Sequence, residues 1–419
     1  MEKRKILILG GANVHCKLVR AAKELGLYTI VTDYLPDSPA KKMADKSYMY
    51  DIMDIDGIVA MCREEGVSAV LSTHLDPCQR PYQQICQRLG LPCFGTQDQV
   101  FRMTDKHAFK RMCAENNVDT IPEYSLEEIQ NDTASYPVFI KPVDSRGSRG
   151  QSVCYCKEEA LTAVELAKSE STNGDILIEK YMADAEEVQI TYFFMDGQAH
   201  LIRTTDSYRG TEAEGLEKVV LCAVSPSKHT EEYLQGAHHK VVEMFRKLGL
   251  ENGPAFMQGF YDNGKFRFFD PGLRFPGVDY EEIYRKVYDI DLPKMMVEFS
   301  VNGSIRNGTL PENSAMLSNK QACVLFPTMS AGTIAEIRGV ESLCADTRVV
   351  SFLQRHDVGD TVEWTYNVNQ RFAEIDILCE NGESLHDTIT WALQTIEVLD
   401  IDGNGMLMQK RCTLPRDEA

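Results

Sequence analysis

The chain has 419 residues, 43% of them hydrophobic, with 63 Asp and Glu against 44 Lys and Arg for a formal net charge of -19. At about 100–200 residues per domain this is a chain of several domains, each able to bury a core. The acidic balance excludes a broad nucleic-acid or anionic-membrane surface, because polyanions would be repelled over most of the protein.

Cysteine usage points to a compartment. The 13 cysteines are scattered and show no two-residue gap of the zinc-knuckle or thioredoxin-like kind. Free thiols on this scale fit reducing conditions, so a cytoplasmic protein is expected. No apolar stretch approaches the roughly 20 residues a membrane helix needs.

The first hundred residues alternate strand and helix. Residues 5–9 read as a buried strand, 10–13 as a turn, 14–25 as an amphipathic helix and 28–33 as a second strand. A helix at 55–65, a strand at 69–72 and a helix at 81–89 follow. Strands separated by helical segments imply a parallel sheet with crossover helices, similar to a small Rossmann-like domain. The Gly10-Gly11 turn lacks the three-glycine dinucleotide fingerprint and reads as a tight strand-to-helix turn rather than a nicotinamide site. His74, in Thr73-His74-Leu75-Asp76, stands at the carboxyl edge of the sheet, where ligands of such sheets bind. A satisfied structural histidine is the competing reading.

The texture changes after Thr104. A helix is expected at 105–116, a strand at 137–141 and a loop at 142–150. A strand at 152–156, a helix at 157–169 and a strand at 176–179 come next, then a hinge-like Lys180-Tyr181-Met182 and a strand at 187–195. Cys154 and Cys156 would share one face of their strand, as core residues. Residues 196–237 read as a long loop, and its stretch 203–217 holds Asp206, Tyr208, Arg209 and three glutamates. A helix at 238–248 precedes strands at 255–261 and 266–270, joined by the hairpin turn Asp262-Asn263-Gly264-Lys265. His238 and His239 diverge on that helix, which argues against a metal pair. Residues 280–301 read as mostly helix, and from about 305 several short strands and a helix at 385–399 complete the chain. Boundaries are placed near 100 and 305.

Three features carry chemistry. The loop Gly147-Ser148-Arg149-Gly150 follows a buried strand, and glycines let backbone N–H groups close over phosphate oxygens. It is not a Walker A loop, since no Gly-Lys-Ser/Thr ends it. Lys141 ends the strand before the loop, as a phosphate ligand or a solvated strand end. Lys106 lies in the first turn of a helix, where a cation opposes the helix dipole. An anionic ligand would relieve that misfit, and so would Asp105 beside it.

Taken in order, Thr104-Asp105-Lys106, Phe139-Ile140-Lys141-Pro142, the loop at 147–150, Ile178-Glu179-Lys180-Tyr181-Met182, Glu187-Val188 and paired strands ending at Arg274 resemble the ATP-grasp superfamily. The similarity is to its biotin carboxylase and carbamoyl-phosphate synthetase branch. It implies an α/β and α+β architecture: a Rossmann-like pre-ATP-grasp domain at 1–100, an ATP-grasp domain at 101–304 with a lid at about 120–190, and a small C-terminal α+β domain at 305–419. It implies ATP with Mg2+ or Mn2+ as cofactors. Lys106 and Lys141, with Ser148 and Gly150 of the loop, would hold the phosphates. Glu179 would accept from the adenine amino group, and the backbone at Tyr181 and Met182, next to Lys180, would pair with the adenine edge. Glu187 would hold the ribose hydroxyls. Lys218 would also reach the phosphates, with a salt-bridged surface lysine as the even alternative. Arg274 would stabilise the transferring phosphoryl group, a task suited to a planar fork, with an ion pair to Asp270 or a nearby acid as its structural alternative.

The metal positions depart from the family pattern. Where the family has a Glu on the first hairpin strand and Glu-x-Asn-x-Arg on the second, this chain has Gln258 and Asp270-Pro271-Gly272-Leu273-Arg274. Asp270 and Gln258 are the metal candidates left, one carboxylate and one neutral amide oxygen, enough for one ion shared with a triphosphate rather than two. The resemblance therefore implies an ADP-forming carboxylate–amine ligase working through an acyl-phosphate. A nucleotide-binding module with impaired or no turnover is the alternative that the altered positions leave open. Small carboxylate and amine substrates are expected; the 203–217 loop reads equally as a contact for them, a carboxylate at Arg209 and an amine at its acids, and as a solvated surface loop. No nucleic-acid or membrane partner is expected, and the family suggests a homodimer.

Overall fold

In the computed structural model, residues 3–143, 150–183, 185–210, 219–277, 280–305, 308–365, 368–409 and 414 are described. The N-terminal strands β1 (Lys5–Leu9), β2 (Tyr28–Thr32), β3 (Lys46–Tyr48) and β4 (Ala69–Leu71) form a parallel sheet in the order β3-β2-β1-β4. Ile6, Leu7, Ile8 and Leu9 are all fully buried, as expected for a parallel strand covered on both faces. Helix Cys16–Glu24 packs against helix Leu292–Asn302, so a segment from far along the chain closes this unit. Helix Asp76–Leu89 starts five residues earlier than the sequence suggests. Pro77 stands in the first turn, where its missing N–H is not needed, whereas Pro81 lies inside the helix, and together they disguised the start.

A buried ion pair fastens the N-terminal unit to the next. Lys17 Nζ lies 2.6 Å from Glu281 Oε2, and His74 Nε2 is 3.6 Å from Oε1 of the same carboxylate. Burial would raise the Glu281 pKa, but Lys17 and then His74 hold it well below the ordinary range. Lys17→Met should strand that carboxylate and destabilise the chain by about 3–5 kcal/mol. Urea denaturation measures this, and an unchanged midpoint would show that the pair is not holding the two units together.

A second small sheet is built from β5 (Val138–Pro142), β6 (Ser152–Cys154) and β7 (Ile176–Lys180), antiparallel in the order β6-β5-β7. Helix Lys157–Glu170 covers it, and Ile129, Val138, Ile140, Ala160, Val164 and Ile178 give it a core of its own. Cys154 is in that core. Cys156 is not on the strand, as expected from sequence, but is the N-cap of the helix.

The largest sheet collects the rest. β8 (Glu186–Met195), β9 (Gln198–Arg209), β10 (Val220–Ser225), β11 (Gly253–Asp262) and β12 (Lys265–Gly272) are followed by β13 (Gln321–Leu325), β14 (Gly332–Arg338), β15 (Val349–Gln354), β16 (Thr361–Val362), β17 (Ala373–Cys379) and β18 (Glu397–Asp400). Eight of these pair as β12-β11-β8-β9-β10-β13-β17-β15, and β16-β14-β18 form a smaller sheet. Within the segment expected to be a long loop after residue 195, Gln198–Arg209 is β9 and Val220–Ser225 is β10, while residues 211–218 lie outside the described ones. Hydrogen bonding crosses residue 305 without a break, since β10 pairs with β13. Ile375, Ile377, Leu385, Ile389 and Leu393 form a second core under the C-terminal strands. The late helix stops at Thr395, because 397–400 is strand β18. No helix among the described residues is long and apolar enough to cross a membrane.

Candidate active site

Alternation along a strand puts every second side chain on one face. On β9 that face carries Arg203, Thr205 and Ser207; on β8 Glu187 and Gln189; on β11 Phe256 and Gln258; and on β12 Asp270. The register sets four of them in a line: Asp270 is opposite Gln258, Gln258 opposite Gln189, and Gln189 opposite Thr205. These residues line a cavity of about 170 Å³. A polar row on a sheet face shielded from bulk water is costly unless each group finds a partner. Some partners are internal. Gln258 donates its amide to Glu187, Arg209 Nε donates to Glu187 Oε2 at 2.6 Å, and the Thr205 and Ser225 hydroxyls are 3.1 Å apart. Arg209 therefore belongs to a strand end and holds Glu187, rather than standing on a loop.

Beside this row three lysines and a glutamate converge. Asp105 caps helix Lys106–Glu115 by accepting from Ala108 N at 2.8 Å. Lys106 and Lys110, four residues apart, share a helix face. Burial, then repulsion from Lys141, lowers the Lys106 pKa against the pull of Asp270 and Glu179. Glu179 is 1% exposed. Lys141 Nζ lies 2.6 Å from its Oε2, and Lys110 ion-pairs with its Oε1 while also reaching Glu123 at 2.6 Å. Burial would raise Glu179, but Lys141 and Lys110 draw it below the ordinary carboxylate range. The Glu179 carboxylate is thus a socket for two lysines. Lys110 was not foreseen, although its four-residue spacing from Lys106 was a readable signal.

The remaining expected contacts are placed as follows. Tyr181 N donates to Pro137 O at 3.0 Å and Lys180 N to Pro122 O at 2.9 Å, so both N–H groups are used within the chain. The Lys180 side chain is exposed and Met182 is buried. Gly150 has φ +69, and a Cβ there would stand 2.9 Å from Glu170 Cβ and from Pro142 Cγ, so glycine is required by both conformation and space. Ser148 and Lys218 lie outside the described residues.

Near Asp270, Arg274 is held on several sides. Its Nε and Nη2 donate to the two oxygens of Asp76 at 2.5 and 2.6 Å, and Nη1 donates to His74 O at 3.1 Å and Phe275 O at 2.9 Å. Its acidic partner is Asp76, not Asp270. The guanidinium sits 4.6 Å from the Phe256 ring centre. The same ring explains Gly272: a Cβ at 272 would be 2.3 Å from Phe256 Cε1. Phe256 fills the space that an asparagine side chain would need. Burial, then repulsion from Asp76, raises the Asp270 pKa against Lys106, Arg274 and Lys141.

Asp270 and Gln258 face each other across the hairpin and offer oxygen donors of the type a hard divalent cation takes. Among the described residues no group of three or more His, Cys, Asp or Glu is placed to hold a metal ion. Asp270 and Gln258 are thus the oxygen donors that these two strands bring to that position. His74 is fully buried, with Nδ1 2.8 Å from Thr73 Oγ1 and its ring packed on Phe275, and burial is the main cause of its lowered pKa. It is a structural histidine. His238 Nδ1 is 2.7 Å from the Tyr192 hydroxyl, again within the core.

The family described as carbamoyl-phosphate synthase L chain, ATP binding domain matches residues 105–270, and the PylC-like N-terminal domain matches residues 6–77. The small subunit of 2-oxoglutarate carboxylase from Hydrogenobacter thermophilus is 27% identical over 207 residues, a stretch covering 44% of this chain and 44% of that protein. The chain thus matches less than half of that relative's length. The biotin carboxylase domain dimer of the H. thermophilus enzyme, solved with MgADP, ADP and bicarbonate, superposes with a TM-score of 0.76 at 20% identity, covering 97% of this chain and 92% of that one. An L-amino acid ligase from Bacillus licheniformis superposes with a TM-score of 0.74 at 16% identity, covering 96% and 100%. Residues 105–270 thus match a carbamoyl-phosphate synthase-type ATP binding domain, behind a PylC-like N-terminal domain at 6–77.

Proposed function

We propose that the protein is an ADP-forming carboxylate–amine ligase. The single observation that carries this is the line Asp270–Gln258–Gln189–Thr205, whose Asp270 end is shared by Lys106, Lys141 and Arg274. It offers cations where phosphates would lie, an oxygen pair for one ion, and an arginine beside them.

In this reading Lys106 and Lys141 bind the phosphates of ATP, and Lys141 is aimed by its pairing with Glu179. The backbone around Met182 meets the base. Glu187, steadied by Arg209 and Gln258, faces the ribose. Asp270 and Gln258 would hold a magnesium ion, which would supply positive charge to offset that of the phosphates. A substrate carboxylate oxygen bonds to the γ-phosphorus as the bond from that phosphorus to the bridging oxygen breaks, and ADP leaves. An amine then attacks the acyl carbon, the carbon–oxygen bond breaks, and phosphate and a proton depart. Arg274 stabilises charge on the transferring group. The small β6-β5-β7 unit, with its own core, acts as the lid that keeps water from the acyl-phosphate.

One observation favours a second reading, a nucleotide-binding module without turnover: Gln258 and Gly272 stand where carboxylate and amide ligands are expected. The packing of Phe256 over Gly272 supports adaptation instead of decay, because the vacated space is refilled. Gln258→Glu separates the two. In an adapted site the new carboxylate confronts Glu187 in place of a hydrogen bond worth about 1–3 kcal/mol, so acid-dependent ADP release should fall about tenfold or more. Turnover that appears in the variant and is absent from the wild type would establish the second reading.

A further inference from the structure

We propose that the acid substrate is a small dianion, its second carboxylate received by Arg371 from the C-terminal strands. This rests on the ligase reading. The cavity has two unlike ends. One end, at Asp270 and Arg274, adjoins the lysine cluster: Asp270 is acted on by Lys106 and Lys141 as well as by Arg274. The other end carries Arg203 of β9 and Arg371, which precedes β17.

The arginines differ in what they have left to give. Arg274 spends four of its five N–H donors on Asp76 and two backbone carbonyls, which leaves one Nη2 hydrogen. Arg371 is 8% exposed, and makes no ion pair among the described residues. Its Nη2 donates to Val220 O at 3.1 Å, its guanidinium lies 3.8 Å from the Phe326 ring centre, and its buried Nε has no hydrogen-bond partner. The nearby acid, Glu374, is paired with Arg355. Burial lowers Arg371 to about 10, with Glu374 opposing and Arg355 adding to the shift.

A buried guanidinium whose one nearby acid is already paired with Arg355 is costly, and a carboxylate matches its fork in shape and charge. The cavity's own carboxylates cannot supply it. Glu187 is neutralised by Arg209, and Asp270 lies at the phosphate end. A ligand spanning the cavity therefore places the carboxylate to be phosphorylated at the Arg274 end and a second one at Arg371. The volume of about 170 Å³ suits an acid of a few carbons and is too small for a peptide or a second nucleotide.

The test is calorimetric binding to the full chain with Mg2+ and a non-hydrolysable ATP analogue present. The probes are succinate, glutarate, L-aspartate and L-glutamate, each against the monocarboxylate of the same length. At least one diacid should bind at least about tenfold more tightly than its monoacid counterpart. Arg371→Gln should erase that preference while nucleotide binding is unchanged, and Arg371→Lys should retain part of it. Binding of the analogue with no diacid preference in the wild type overturns this inference and leaves the ligase reading standing. Failure to bind the analogue at all overturns the ligase reading instead. A diacid preference that survives Arg371→Gln overturns the assignment of Arg371. Should Arg371→Gln fail to bind the analogue, the wild-type comparison and Arg371→Lys decide.

Discussion

Alanine at position 274 is expected to lower acid-dependent ADP release by at least about a hundredfold while nucleotide binding persists. Removing one preorganised donor from developing charge costs about 10²–10³ in rate in well-studied sites. Arg274 is preorganised in that sense, since Asp76, two backbone carbonyls and the Phe256 ring fix its plane before any substrate arrives. Arg274→Lys keeps a charge but loses the fork, so it should recover little of the loss. Because the arginine also ties Asp76 and the His74 carbonyl to the large sheet, the unfolding midpoint should be recorded alongside. Turnover at the wild-type rate in Arg274→Ala would remove the residue from the mechanism.

Lys141→Ala should abolish the protection that ATP gives against heat. A charge-assisted hydrogen bond contributes about 1.5–3 kcal/mol, so losing it weakens binding by about ten- to a hundredfold. The loss is compounded here. Lys141 and Lys110 together neutralise the buried Glu179, and without Lys141 that carboxylate keeps one of its two cations and adds negative charge beside the phosphates. Thermal melts with and without ATP and Mg2+ measure the effect. Protection equal to the wild type's would mean that the phosphates lie elsewhere.

The parts of this arrangement that were legible in the sequence are those that obey the local rules. β1 and β2 are apolar runs, the β11–β12 turn has Asn263-Gly264, and the lysines and Arg274 fall at the ends of such elements. What stayed hidden is instructive. β9 reads as a loop because Arg203, Thr205 and Ser207 make its inward face polar, so the apolar alternation that marks a half-buried strand is absent. That face is polar because it floors the cavity, so the site itself erased the signal. The pairing of Arg274 with Asp76 links residues 198 apart, and the packing of Phe256 on Gly272 depends on cross-strand register. Neither is written in spacing along the chain. Arg371 lies in the C-terminal part of the chain, beyond the stretch carrying the motifs, and reaches the cavity because β10 continues into β13 and β17.

The most direct measurement is ADP release by the full chain from ATP and Mg2+ with a panel of small carboxylic and amino acids, using hydroxylamine as a general amine acceptor. The account predicts release that depends on a particular acid, together with the hydroxamate of that acid, since hydroxylamine captures an acyl-phosphate. ATP binding with no acid-dependent release above the acid-free rate would contradict it and assign the fold to nucleotide binding without ligation.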